Sequence, residues 1–270
     1  MEGAGFLGAM AGYSPATALA SKLVSVFPEN TGRGLPSHQA LIVVFDAETG
    51  TPTAIMDGTR ITALRTAAAS AVATRLLARP EANILAILGA GVQGAAHLEA
   101  IPRTRAFQEI RVASRDSEHA RALAERHPMA AAARSFADAV SGADVVCACT
   151  DSPEPVVHFS ELKAGVHVNS VGFSRGGPEL HPGILDRAQI FVEARQSFAP
   201  FPAGARELEH RDPAAAAEIG EVLAGTRPGR TAAAELTVYK AVGNALEDAA
   251  AARLVLERAQ ETGAGVKVAF

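Results

Sequence analysis

The chain has 270 residues, 48% of them hydrophobic, and a formal net charge of −4 with its lysines and arginines scattered. That length supports a core of ordinary size without staples, and the charge offers no basic face to neutralise a phosphate backbone, which argues against a nucleic-acid partner. No apolar run approaches the roughly 18 residues that cross a bilayer, and the Gly-rich start has no basic segment leading into an apolar one, so the expected location is cytoplasmic.

In chain order, Ala20–Phe27 has β character and stops at Pro28-Glu29-Asn30. His38–Asp46 is a second extended run that breaks at Glu48-Thr49-Gly50, and Pro52–Met56 returns as its hairpin partner. These runs predict an antiparallel sheet. Thr62–Ala78 is Ala-rich with apolar residues near helical spacing, and Arg79-Pro80 ends it. Strands at Ile84–Leu88, Glu109–Ser114 and Val145–Thr150 then alternate with helices at Gln93–Ile101 and Ser117–His127 and with a short segment, Phe136–Val140. Such alternation is the pattern of βαβ units and a parallel sheet. His167–Val171 and Gln189–Val192 add strands, whereas residues 195–230 are too rich in Pro, Gly and charge to assign. A final helix is expected from Thr231 to Gly263, interrupted near Gly243, with Val266–Phe270 closing back on the first sheet.

The fold class is therefore α/β: a Rossmann-like doubly wound sheet, residues 80–237, inserted into a second α+β domain built from 1–79 and 238–270. The two cysteines, Cys147 and Cys149, alternate along one strand, share a face and are read as reduced core residues. No metal site is expected.

The chemistry-bearing motif follows the strand Ile84–Leu88 at once: Gly89-Ala90-Gly91-Val92-Gln93-Gly94, then Ala-rich helix. The first glycine permits the tight turn, the second lets backbone approach a pyrophosphate, and the third lets helix and strand pack closely. Unpaired N–H groups at the helix start face the anion. At the end of the next strand, where an NAD-specific fold places a carboxylate for the ribose hydroxyls, stand Ser114-Arg115. A hydroxyl and a guanidinium suit a 2′-phosphate, so NADP(H) is favoured; Asp116, one small register shift away, keeps NAD(H) open.

Five blocks in order, Lys22–Asn30, Gly34-Leu35-Pro36, Thr62–Ser70, Gly89–Gln93 and Glu235–Gly243, resemble the ornithine cyclodeaminase and mu-crystallin family over the whole chain. The resemblance implies a Rossmann domain joined to a substrate and dimerisation domain, a homodimer, and a small amino- or imino-acid substrate. It implies that Lys22 and Arg65 are the cationic pair that holds the substrate carboxylate, with Lys22 also exchanging a proton. It places Ser37, Thr150, Ser152, Asn169, Val171 and Ala241 with Gly89, Gly91, Val92, Gln93, Gly94, Ser114 and Arg115 at the cofactor, and Ser174 and Val242 at the substrate. The sequence departs from the family in two places. Cyclodeaminases carry a catalytic Asp after the Val-Gly that here is Val171-Gly172, but Phe173-Ser174-Arg175 follows. Serine is a poor general base, so ammonia-releasing cyclisation is disfavoured, and Glu179, the nearest acid that could substitute, reads as structural. Family members also usually begin several dozen residues earlier, with another substrate-facing Arg. The leading expectation is an NAD(P)H-dependent reductase of a small imino, ketimino or 2-oxo acid; the alternatives are an ornithine cyclodeaminase and a non-catalytic NADPH-binding protein.

Overall fold

The computed structural model describes residues 5–174 and 176–268. In chain order its regular elements are β1 (Phe6–Gly12), β2 (Leu19–Val26), β3 (His38–Phe45), β4 (Pro52–Asp57) and α1 (Gly58–Leu77), then β5 (Ile84–Leu88), α2 (Val92–Ala100), β6 (Glu109–Ala113), α3 (Ser117–Ala124), β7 (Ala130–Ala132), α4 (Phe136–Val140), β8 (Val145–Ala148) and β9 (His167–Ser170). There follow α5 (Pro182–Leu185), β10 (Gln189–Val192), β11 (Ala217–Glu218), α6 (Ile219–Leu223), β12 (Thr237–Lys240) and α7 (Ala245–Thr262), with short 3-10 turns between them. The chain divides into two compact units, 1–65 with 243–270, and 66–242.

The first unit is an antiparallel sheet in the order β1-β2-β3-β4. Alternation sorts its side chains onto two faces. Ala20, Ile42 and Val44 are buried with Ile61 and with Ala249 and Ala252 of α7 in one apolar cluster. The opposite face presents Leu7, Leu23, Leu41 and Ile55, each between 43% and 63% exposed. The register pairs Ala9 with Leu23 and Leu23 with Leu41, so these residues form one continuous apolar patch.

The second unit is an eight-stranded parallel sheet in the order β11-β10-β12-β9-β8-β5-β6-β7. Its central strands are apolar on both faces because helices cover both sides: Ile84-Leu-Ala-Ile-Leu88 and Val145-Val-Cys-Ala148 are almost wholly buried. Strand order reverses between β5 and β8, the place where such sheets open a crevice at their carboxyl ends.

The structure departs from the sequence reading at several points. Strand β1 lies in a Gly- and Ala-rich segment whose sequence carries no clear strand pattern. Residues 231–236 are not helical, and Thr237–Lys240 is a strand between β10 and β9; the helix begins only at Ala245. The β-branched and aromatic Thr-Val-Tyr core of that strand wins over its Ala-rich flanks because the sheet buries it completely. The compact units divide at 65/66 and 242/243. The described part of the C-terminal tail forms no strand, and Val266 and Val268 are exposed; the last two residues of the expected Val266–Phe270 strand lie outside the described residues. Residues 195–230 are more ordered than their composition suggests, since Leu208, Ala205 and Ala216 are buried in the main core. Among the described residues no helix is long and apolar enough to cross a membrane, and no cluster of potential metal ligands occurs.

Candidate active site

The dinucleotide cradle is built by the β5–α2 turn. Gly89 has φ of +101°, and a Cβ there would lie 2.6 Å from the Cys149 carbonyl oxygen at the end of β8. At Gly94 a Cβ would collide with the Gly89 carbonyl, so only glycine lets the helix start against the strand. Gly91 is different: nothing of the protein lies within 4 Å of the place its Cβ would take. That open space fronts the start of α2, where no side chain caps the helix. The first intrahelical bond runs from Ala95 N–H to the Gly91 carbonyl, leaving the N–H groups of Val92, Gln93 and Gly94 ahead of it. Gln93 Oε1 is buried with no hydrogen-bond partner among the described residues. An uncapped helix start beside a side-chain-free approach fits a pyrophosphate.

Past β6, Ser114 is half-buried and Arg115 exposed, its Nη2 3.2 Å from Asp151 Oδ1. Asp116 is committed elsewhere. It caps α3, accepting from the N–H groups of Glu118 and His119, bonds that hold its carboxyl below the usual range. The groups that follow the strand end are therefore the hydroxyl and the guanidinium.

The loops after β8 and β9 are held by a buried acid. Glu179 is 2% exposed. Its Oε1 accepts from Thr150 N–H and Oγ1, and its Oε2 accepts from Ser170 Oγ and Gly172 N–H. Burial pushes its carboxyl up, opposed by Lys240. Lys240, also buried, donates to Ser170 Oγ, the Gly172 carbonyl and Glu207 Oε1. Burial raises the Glu207 carboxyl, but Lys240 and the Glu179 N–H outweigh it and leave that group below its ordinary value. Glu179 is thus a structural clamp with both oxygens spent, not a stand-in for the missing catalytic acid.

The remaining residues expected at the cofactor divide. Thr150 and Val171 line these loops, with the Thr150 hydroxyl donated to Glu179, and Ser152 Oγ accepts from Glu154 N–H. Asn169 is fully buried, its amide shared among Thr74, Cys147 and His167, which ties β9 to α1 and leaves no group for a ligand. Strand alternation is the reason: Ser170 faces the Glu179 clamp and Asn169 the opposite layer. Ala241 is buried in the core. Val242 N–H donates to Glu193, and Ser174 Oγ accepts from Gly176 N–H. Ser37, in the first unit, pairs its hydroxyl with the His38 ring. Arg175 lies outside the described residues. Both cysteines are free thiols; burial pushes Cys147 up to about 12 and Cys149 well above its ordinary value, so neither is a ready thiolate.

In the first unit, Lys22 and Arg65 come together across 43 residues of sequence. Lys22, on the covered face of β2, is 2% exposed, and its Nζ lies 2.6 Å from Asp248 Oδ2. Arg65 donates from Nε to Asp248 Oδ1 at 3.0 Å and from Nη1 to Glu247 Oε2 at 2.9 Å. Its Nη1 and Nη2 crowd Gly243, where any Cβ would strike them. Burial and the neighbouring Arg65 lower the Lys22 pKa, and Asp248 works against both. Sequence reasoning missed the two acids. Asn244-x-x-Glu247 is a capping-box spacing that marks the start of α7 and puts Glu247 and Asp248 in its first turn, but a helix expected from Thr231 hides that signal in its interior.

This arrangement, two buried cations beside two acids in one unit and an open glycine turn in the other, can be set against known proteins. The ketimine reductase mu-crystallin of Mus musculus is 40% identical over 256 residues, covering 94% of this chain and 80% of the relative. The Thermococcus litoralis Delta(1)-pyrroline-2-carboxylate reductase, solved with NADH and L-proline, superposes with a TM-score of 0.90 at 36% identity, covering 98% of this chain and 85% of that one. An archaeal alanine dehydrogenase dimer with bound NAD gives 0.88 at 30% identity over the whole chain and 86% of the other. The model of the ornithine cyclodeaminase/mu-crystallin family matches residues 1–263, and the chain belongs to that family.

Proposed function

We propose that the protein is an NAD(P)H-dependent reductase that converts a small imino or ketimino acid to the amino acid. The observation that carries this reading is the buried Lys22–Arg65 pair. Two cations held rigidly out of water suit a substrate carboxylate, Arg65 through its planar fork and Lys22 as a donor whose proton burial makes easier to release. A bound nicotinamide dinucleotide supplies the hydride. Gly89, Gly91, Val92, Gln93 and Gly94 hold its pyrophosphate, and Thr150, Ser152 and Val171 shape the neighbouring loops; family resemblance assigns Ser37 to the cofactor as well. Ser174 and Val242 are assigned to the substrate. The finer assignment, NADP(H) over NAD(H), rests on Ser114 and Arg115, with Asp116 engaged as a helix cap.

A reductase is favoured over an ammonia-releasing cyclodeaminase because Val171-Gly172 is followed by no acid and Glu179 has no oxygen to spare. The continuous apolar face of the first sheet supports a homodimer, since so many large exposed residues on one face call for a cover. The test is a panel of cyclic and acyclic imino acids, and 2-oxo acids with ammonia, followed by loss of NADPH absorbance. Consumption of NADPH with an imine is expected. Ammonia release from ornithine without net cofactor change, or no turnover despite dinucleotide binding, would refute the assignment.

A further inference from the structure

The two acids at the cation pair are not equivalent. Asp248 is 2% exposed and bridges both cations, one oxygen on Lys22 Nζ and the other on Arg65 Nε. Glu247 is 20% exposed and meets Arg65 through one oxygen, which also accepts the more distant Asn244 N–H at 3.2 Å. Neither the Asp248 bond nor the Glu247 bond engages Arg65 Nη2. A carboxylate arriving at Arg65 therefore finds Nε and Nη1 already taken. It can touch Nη2 alone, or take the two-nitrogen end of the guanidinium once Glu247 has left Nη1. Asp248 cannot yield as easily, because leaving would strand Lys22 as well, whereas Glu247 has water at hand.

Charge gives the same answer. Lys22 and Arg65 against Asp248 and Glu247 make a neutral buried cluster. A third carboxylate would leave a net negative charge out of water, which is costly unless one acid takes up a proton.

We infer that Glu247 is a resident carboxylate that occupies Arg65 in the ligand-free protein and is displaced from Nη1 by the carboxylate of the substrate, so that it sets substrate affinity. The inference rests on the reading of Arg65 as the substrate clamp. The displaced acid takes a proton from solvent while the substrate carboxylate accepts the Nη1 hydrogen; no other bond changes. The charged groups facing Glu247 among the described residues are Arg65, Asp248 and Lys22. Burial raises the Glu247 carboxyl and Asp248 adds to the effect, with Arg65 opposing, so loss of the Arg65 contact favours protonation further.

The experiment compares steady-state KM and kcat of the intact protein, Glu247→Gln, Arg65→Ala and Asp248→Asn with a five-membered cyclic imino acid, from pH 6 to pH 9. Gln retains the size and helix-capping role of Glu247 but not its charge. Glu247→Gln is expected to lower KM roughly threefold to tenfold with little change in kcat, since a competing charge-assisted hydrogen bond is removed. The ratio of wild-type KM to that of Glu247→Gln should fall towards one as pH drops and Glu247 protonates; any protonation of the substrate cancels from that ratio. Asp248→Asn should act the other way, raising KM and lowering kcat, because both cations lose their shared anchor. An unchanged or raised KM in Glu247→Gln overturns the inference while Arg65 stands. An Arg65→Ala variant with wild-type KM overturns the clamp itself, and failure of the intact protein to reduce any imino acid overturns both.

Discussion

Replacing Gly91 and Gly94 separately by alanine divides ligand binding from folding at the glycine turn. At Gly94 the added Cβ would sit 2.9 Å from the Gly89 carbonyl carbon and closer still to its oxygen. Neither atom can withdraw, because the Gly89 N–H is bonded to the Ala113 carbonyl and the turn packs on Cys149. Overpacking of this kind costs about 1–3 kcal/mol. In a chain of this size that is a fall in Tm of roughly 2–12 °C. At Gly91 the added Cβ meets no protein atom within 4 Å, and the backbone (φ −83°, ψ −162°) suits any residue. The methyl group would instead enter the space in front of the α2 N-terminus. The lost stability there is near zero, because a slightly poorer cap is offset by a less flexible unfolded chain, each worth about 0.5–1 kcal/mol. Loss of one charge-assisted bond to a phosphate costs about 1.5–3 kcal/mol, or roughly 10- to 150-fold in Kd. Gly91→Ala should melt like the parent but bind NADPH that much more weakly in a nicotinamide-fluorescence titration, and NADPH should raise its Tm far less. Equal NADPH affinity in Gly91→Ala, or equal loss of Tm in both variants, would refute the reasoning.

Arg115→Ala should weaken NADPH about tenfold or more and leave NADH nearly unchanged, since only the 2′-phosphate meets the guanidinium; parallel titrations decide it, and equal effects on both dinucleotides would mean that Arg115 serves only its exposed pair with Asp151. With Lys22 as proton donor, kcat should fall as pH rises through its pKa, which lies below 10.5, because the protonated form is the active one. Lys22→Arg should keep substrate binding yet lose both most of the turnover and this alkaline limb, and full activity in Lys22→Ala would remove the assignment. Leu41→Glu, on the outer face of the first sheet, should convert the proposed homodimer to monomer in light scattering while barely changing Tm at low concentration; a monomeric parent would dispose of the proposed interface.

Much of the molecule is written in short-range pattern. The apolar run Ile84–Leu88 leading into three spaced glycines dictates a buried strand, a tight turn and a helix start from local chemistry alone, and the structure places each of them there. The hairpin at Glu48–Gly50, the alternation of strands with helices and the embedding of the nucleotide unit between the two chain ends are legible for the same reason, because period and turn residues act within a few positions. Lys22 and Arg65 are legible only through family resemblance; nothing near either residue marks it as buried.

What acts at long range was decided by the tertiary structure. Strand β1, rich in Gly and Ala, is a strand because β2 pairs with it, and Thr237–Lys240 is one because it fills the gap between β9 and β10. Asp248 reaches Arg65 across 183 positions, and Asn169 turns from a cofactor candidate into a core residue once strand register selects its face. Local propensity is a weak force of tenths of a kcal/mol per residue, and burial of a whole strand or pairing of a buried charge outweighs it. Neither can act until segments far apart in the chain have met.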